Sequence, residues 1–368
     1  MQNSISFNTK DFVLIAKRAE EKVPVMLVGN FLSQTGIRSV CEDLAEHLSA
    51  SGHQVFTTST KTSRTLRVAD MMATVWRKRH RYSVALVEVY SGLAFLWAEA
   101  TCWLLRRSHK PYVLTMHSGN LPDFAKRWPR RVQNLLCSAS SVTTPSQYLC
   151  EKMSAYRPDL HVLPNSLRLS RYKFRTRQRP LPRMIWLRAF HRNYNPSLAP
   201  KVLSLILVDF PDAELIMLGP DKGDGSLQHT REEAVTLDVL DHITLTGSIP
   251  KAQVPEWMNK GDIFLNTTNV DNTPVSVLEA MACGLCIVST NVGGISYLLE
   301  DGYDALLVPP GDPAAMATAV NRVLTEPGLA ERLSLNARKK VEQYDYSVVL
   351  PQWEALVKTV AEDSGDGR

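Results

Sequence analysis

Residues 266–294 read NTTNVDNTPVSVLEAMACGLCIVSTNVGG, and this stretch decides the fold. The apolar run Ile263 to Asn266 leading into it is a strand. A polar loop with Asp271 follows, Thr273 is a good N-cap, Pro274 suits a first helical position, and Val275 to Ala282 continue a helix until Gly284 stops it. Cys286 to Ser289 is the next strand, closed by the Gly293-Gly294 turn. Strand, loop, helix and strand in that order make a unit of an open parallel sheet. Its helix start lies at the carboxyl edge of the strands, where such sheets bind ligands. Unpaired N–H groups and the positive end of the helix dipole favour a phosphate there. Ser276 adds a hydroxyl, while Pro274 withdraws one donor. Thr273, Val275 and Ser276 are thus the candidates to hold a diphosphate. Glu279 lies about 7–8 Å along the helix axis from its start, within reach of a ribose diol beside the phosphates. Asp271, on the other side of the helix start, can accept from hydroxyls of a second sugar. Two acceptors flanking an anion site match what a nucleotide sugar presents.

Working outward, the same rhythm runs in both directions. Strands are expected at 23–29, 54–58, 83–89, 112–116, 141–144 and 161–163, and again at 184–187, 214–218, 243–246, 263–266, 286–289 and 305–308, with helix-length segments between them. The expected fold is α/β, two Rossmann-like domains facing across a cleft. The first occupies residues 1–178 and the second 179–345, and a last helix in 346–368 packs back across the linker onto the first. The linker is the basic stretch from Leu167 to Pro182, with Arg168, Arg171, Lys173, Arg175, Arg177 and Arg179.

Composition narrows the class. In 368 residues, 44% hydrophobic and 21% charged is the balance of a globular protein of about two domains. No apolar run reaches the ~20 residues of a membrane span, and the first thirty residues lack a signal-peptide pattern, so a cytoplasmic protein is expected. The 92–105 segment is apolar but carries Glu99 in its middle and reads as a packed helix. Six scattered cysteines fit reduced thiols, and Cys283 and Cys286 end an apolar helix without a second pair for zinc. The net charge of +5 is concentrated in Arg77-Lys78-Arg79-His80-Arg81 and in Lys126, Arg127, Arg130 and Arg131. These clusters are either solvated faces or attract an acidic acceptor or anionic lipid head groups at the inner face of a membrane. The 219–225 stretch lacks GxGxxG spacing, which argues against a nicotinamide dehydrogenase, and no nucleic-acid signature is present.

Asp271, seven residues, Glu279, then Ala-Met-Ala-Cys-Gly to Gly284 and the Gly293-Gly294 turn together resemble the signature of family 4 glycosyltransferases of the GT-B fold. The likeness extends to Gly302, to 306–312, to Pro164-Asn165-Ser166 and to the Thr35-Gly36 loop after the first strand. It implies a retaining transfer from a UDP- or GDP-linked sugar to a hydroxyl of a glycan, lipid-linked or small acceptor, with no cofactor or metal. It also implies that Glu279 binds the donor ribose, that Asp271 takes the sugar hydroxyls, and that Arg188 holds phosphate. His117, directly after the 112–116 strand, would contact the reacting sugar, and Gly36 would let the main chain approach the donor. This chain departs from the family at two places. Asp271 stands where Glu is usual, and Asn193 stands where a Lys follows the phosphate-binding Arg by five positions, leaving Arg192 as the replacement cation. Two alternatives stay open: a GT-B-type epimerase or phosphorylase, and a silent nucleotide-sugar-binding partner subunit.

Overall fold

The computed structural model describes residues 22–32 and 39–363. Among them are two six-stranded parallel sheets. The first contains β1 (Val25–Val28), β2 (Val55–Thr58), β3 (Val84–Val89), β4 (Tyr112–Met116), β5 (Ser141–Thr144) and β6 (Leu160–Val162), in the order β2-β1-β3-β4-β5-β6. The second contains β7 (Arg183–Leu187), β8 (Glu214–Leu218), β9 (Ile243–Gly247), β10 (Ile263–Asn266), β11 (Cys286–Thr290) and β12 (Leu306–Val308), in the order β12-β11-β10-β7-β8-β9. All twelve expected strands are present, within one or two residues at their ends. The central strands are mostly apolar and buried on both faces, as parallel strands between helical layers require, while the edge strands β2, β6 and β9 are partly exposed. Both orders are doubly wound; in the second sheet strand order reverses between β7 and β10 and opens a crevice at their carboxyl ends.

In the first half, α1 (Val40–Ala50) covers one face of the sheet. On the other face pack α2 (Arg64–Arg77), α3 (Ala94–Arg107), α4 (Leu121–Arg127), α5 (Pro129–Cys137) and α6 (Gln147–Met153). In the second half, α7 (Leu198–Ile206), α8 (Ser226–Thr236), α12 (Pro313–Thr325) and part of α13 (Leu329–Val341) build one core layer. The opposite layer holds α9 (Val254–Met258), α10 (Val275–Cys283) and α11 (Ile295–Leu298). The last helix, α14 (Tyr346–Asp363), places Val349, Trp353 and Val357 against Val25, Leu27 and Val113 of the first sheet.

The basic stretch read as a linker is more than a connector. Leu167 pairs in parallel with Asp345 and exchanges main-chain hydrogen bonds with Tyr344 and Tyr346 at 2.9 and 2.7 Å, so the two crossings between halves run side by side. Arg177 is 2% exposed. Its guanidinium donates to Gly261 O (3.0 Å), Cys283 O (2.5 Å) and Asp262 Oδ1 (3.2 Å). A buried cation persists only when paired and fully hydrogen-bonded in this way. The residues around it therefore pack as part of the second half.

Candidate active site

The site begins with α10. Ser276 through Cys283 are buried, as expected of a helix apolar around its circumference. Gly284 ends it at φ +74°, and a Cβ there would meet the Phe174 ring and Arg175 O, so only glycine fits. The helix starts one residue later than expected. Pro274 takes the cap position, and the Thr273 hydroxyl, instead of capping, donates to Pro145 O in the first half (3.2 Å). Asn165 Nδ2 donates to Thr273 O (3.1 Å), and Ser146 Oγ bonds Asn272 Oδ1. These bonds draw the two halves together on one side of the helix start. The Gly293-Gly294 turn serves a close approach: a Cβ at Gly293 would meet Asp271 O, one at Gly294 would meet Asn272 O, and Gly294 N donates to Asp271 O (3.1 Å).

On its other side the helix start opens into a cavity of about 660 Å³ at the point where strand order reverses. Arg188, Asn193, Tyr194, Lys222, Lys251, Ser276 and Glu279 are among its walls. Arg188 follows β7 and is held by its N–H to Leu218 O (3.1 Å). Its guanidinium lies 4.4 Å over the Tyr194 ring and is ion-paired to Asp271. Burial lowers its pKa from the ordinary value, opposed by the fields of Tyr194 and Glu279. The Ser276 hydroxyl is buried and has no partner among the described residues.

Glu279 is 2% exposed. Its Oε1 accepts from Tyr172 OH (2.8 Å) and pairs with Lys251 Nζ (2.5 Å). Burial first, and the Glu279 charge second, push the Tyr172 phenol well up, so it stays a donor.

A second group faces this one from the first half. His117 follows β4, with its N–H on Val89 O (3.1 Å). Its Nε2 lies 3.0 Å from the buried Glu88 carboxylate, at ion-pair distance but without hydrogen-bond alignment. Tyr90 stacks on the imidazole (5.5 Å, 24°) and donates to Glu88 Oε2 (2.9 Å). A Cβ on Gly119 would lie 3.1 Å from the Asp271 main chain, so the His117 loop touches the Asp271 loop.

Of the candidate residues, Arg188, Ser276 and Glu279 line the cavity, Asp271 joins them through its ion pair with Arg188, and His117 belongs to the first-half loop that touches the Asp271 loop. Val275 packs into the apolar core, and Thr273 turns to the other half. Arg192 is exposed and does not line the cavity; its main-chain N–H goes to Asp224 Oδ2 (2.9 Å). Gly36 lies outside the described residues. The sequence reading missed Lys222, Lys251, Tyr172, Glu88 and Tyr90. Glu88 and Tyr90 carried one signal, a charged and a phenolic residue at the carboxyl end of an otherwise apolar strand.

Two family models match in tandem: Glycosyltransferase Family 4 over residues 35–171 and Glycosyl transferases group 1 over 175–340. Similar proteins include an alpha-D-kanosaminyltransferase of Streptomyces kanamyceticus, 31% identical over 34% of each chain, so the match spans about a third of that relative. A phosphatidyl-myo-inositol mannosyltransferase of Mycobacterium leprae is 25% identical over 70% of each chain. Among solved structures, the sucrose-phosphate synthase of Thermosynechococcus elongatus superposes with TM-score 0.75 at 18% identity, covering 92% of this chain and 99% of that one. Anabaena Alr3699/HepE in complex with UDP and glucose gives TM-score 0.75 at 16% identity, covering 92% and 100%. At these identities the superpositions speak to the fold, a pair of Rossmann-like domains of GT-B type.

Proposed function

The chain belongs to the family 4 glycosyltransferases, and from that premise we propose that it moves a hexosyl group from a UDP- or GDP-linked sugar to an acceptor hydroxyl with retention of anomeric configuration. One observation carries the reading: a buried carboxylate, a part-buried guanidinium and a serine hydroxyl without a partner among the described residues converge on a cavity at a helix start. That set suits a ribose diol next to a diphosphate.

In this reading the donor enters by partner exchange. Its diphosphate takes Arg188 and Ser276, Glu279 accepts from the ribose hydroxyls, and Asp271, released from Arg188, accepts from hydroxyls of the transferred sugar. The bond from the anomeric carbon to the phosphate oxygen breaks with its electron pair on the phosphate. The acceptor oxygen bonds to that carbon on the same face, and its proton passes to the departing phosphate oxygen. Arg188, Lys222 and the helix start stabilise the charge that develops, so no metal is invoked. His117, held beside Glu88, meets the sugar from the other half. The partners are the donor and a glycan or lipid-linked acceptor.

The first half also offers a face to an anionic membrane. Trp76 and Trp103 are each 48% exposed on neighbouring helices, with Arg79 at 4.1 Å over the first ring and Arg107 at 5.5 Å over the second. Indole rings beside cations favour the head-group region.

The test is incubation with UDP- and GDP-sugars, with and without glycan or lipid acceptors, in chelator. The expected result is acceptor-dependent release of nucleoside diphosphate and a product of unchanged anomeric configuration. Epimerised donor without acceptor, dependence on inorganic phosphate, or donor binding without turnover would replace the proposal.

A further inference from the structure

Glu279 is held in an unequal way. Both of its partners, Tyr172 OH at 2.8 Å and Lys251 Nζ at 2.5 Å, bind the same oxygen, Oε1. Oε2 has no hydrogen bond among the described residues, and the side chain lines the cavity. A carboxylate this deeply buried loses its hydration and stays ionised only with compensation. Lys251, with a side chain 30% exposed at the cavity wall, supplies the opposite charge. Tyr172 supplies direction: its ring is fixed in the core with Leu169 and Leu278, so its hydroxyl is a rigid donor that sets the carboxylate plane. Neither group neighbours Glu279 in sequence. Tyr172 comes from the segment that joins the halves, and Lys251 from the turn after β9.

We infer that Tyr172 and Lys251 are positioning residues that clamp Glu279 through Oε1 and so reserve Oε2 for the ribose diol of the donor, making this clamp the source of ribose recognition. The inference rests on the nucleotide-sugar reading of the cavity. It assigns to Lys251 a place beside the nucleoside, in a chain where the position five after Arg188 is Asn193.

The experiment titrates UDP and GDP, and their 2′,3′-dideoxy counterparts, into the full chain and into Tyr172→Phe, Lys251→Gln, Glu279→Gln and the Tyr172→Phe/Glu279→Gln pair, with thermal unfolding checked for each. The unmodified chain should bind the ribonucleotide at least tenfold tighter than the dideoxy analogue. Tyr172→Phe and Lys251→Gln should each weaken the ribonucleotide about tenfold, the scale of one hydrogen bond to a charged group, and leave the dideoxy affinity within about twofold. The paired variant should match Glu279→Gln alone. A merely structural role would weaken both nucleotides alike. Preserved diol preference in both single variants overturns this inference and leaves the donor site standing. No binding of either nucleoside diphosphate by the unmodified chain overturns both readings.

Discussion

The two halves share an architecture but organise their polar groups differently at the cleft. In the second half the key side chains come from one strand-loop-helix unit and the end of the strand beside it: Asp271, Ser276 and Glu279 within nine residues, and Arg188 across the point where strand order reverses. In the first half Glu88, Tyr90 and His117 come from two separate strand ends and meet only through packing. The difference follows the tasks proposed for the two halves. Binding a diphosphate uses main-chain N–H groups at a helix start, which impose a local order on the sequence. Placing a side chain over a sugar ring imposes none, because any pair of strand ends that the fold brings together will serve.

Substitutions in the two halves separate these roles. The largest effect is expected for Arg188→Ala, which in the proposed reaction removes the cation from the diphosphate and leaves the part-buried Asp271 without its partner. Transfer should fall on the order of 10²–10³-fold, as when a single stabilising donor is taken from a developing anion, and nucleoside diphosphate affinity should fall with it. Release of nucleotide and direct titration measure the two, and a variant with normal turnover would remove Arg188 from the site. Glu88→Gln should act differently, lowering kcat about tenfold through a misplaced His117 while UDP and GDP affinities stay within about twofold. If Glu88→Gln weakens nucleotide binding as strongly as Arg188→Ala does, the division of labour between halves is wrong.

A smaller change is expected for Trp103→Ala, with sedimentation on phosphatidylglycerol vesicles reduced a few-fold and no sedimentation on phosphatidylcholine by either protein. Equal binding to both lipids, or to neither, would deny the anionic-membrane face. Smallest of all is Arg192→Ala. Its side chain is exposed and away from the cavity, so nucleotide affinity should change less than about twofold, the usual outcome at such surfaces. A tenfold loss would restore Arg192 as the replacement cation.

Much of this was legible in the residues. Strands such as Ile263–Asn266 and Tyr112–Met116 announced themselves as short apolar runs, and the position of Glu279 followed from helical rise. What escaped reading was set by distant contacts. Tyr172 reaches Glu279 across 107 positions and Lys251 reaches it across 28, and no periodicity records either pairing. Thr273 reads as a cap because its local preference is strong, yet Pro145 O, 128 positions away, captures its hydroxyl. Arg177 reads as linker charge because the sequence does not say that Asp262 will lie beside it in the core. Arg192 reads as a cation for the cavity because its position, and not its direction, is visible in the chain.

The proposed function turns on where a nucleoside diphosphate lodges. The most direct measurement is a crystal structure of the chain soaked with UDP or GDP. The expected result is diphosphate density between Arg188 and Ser276 at the start of α10, ribose hydroxyls on Glu279 Oε2, and Asp271 freed from Arg188. Nucleotide found instead in a separate cavity of about 420 Å³ between the halves, beside Gln343 and Tyr344, or an Arg188–Asp271 pair still closed over bound nucleotide, would contradict it.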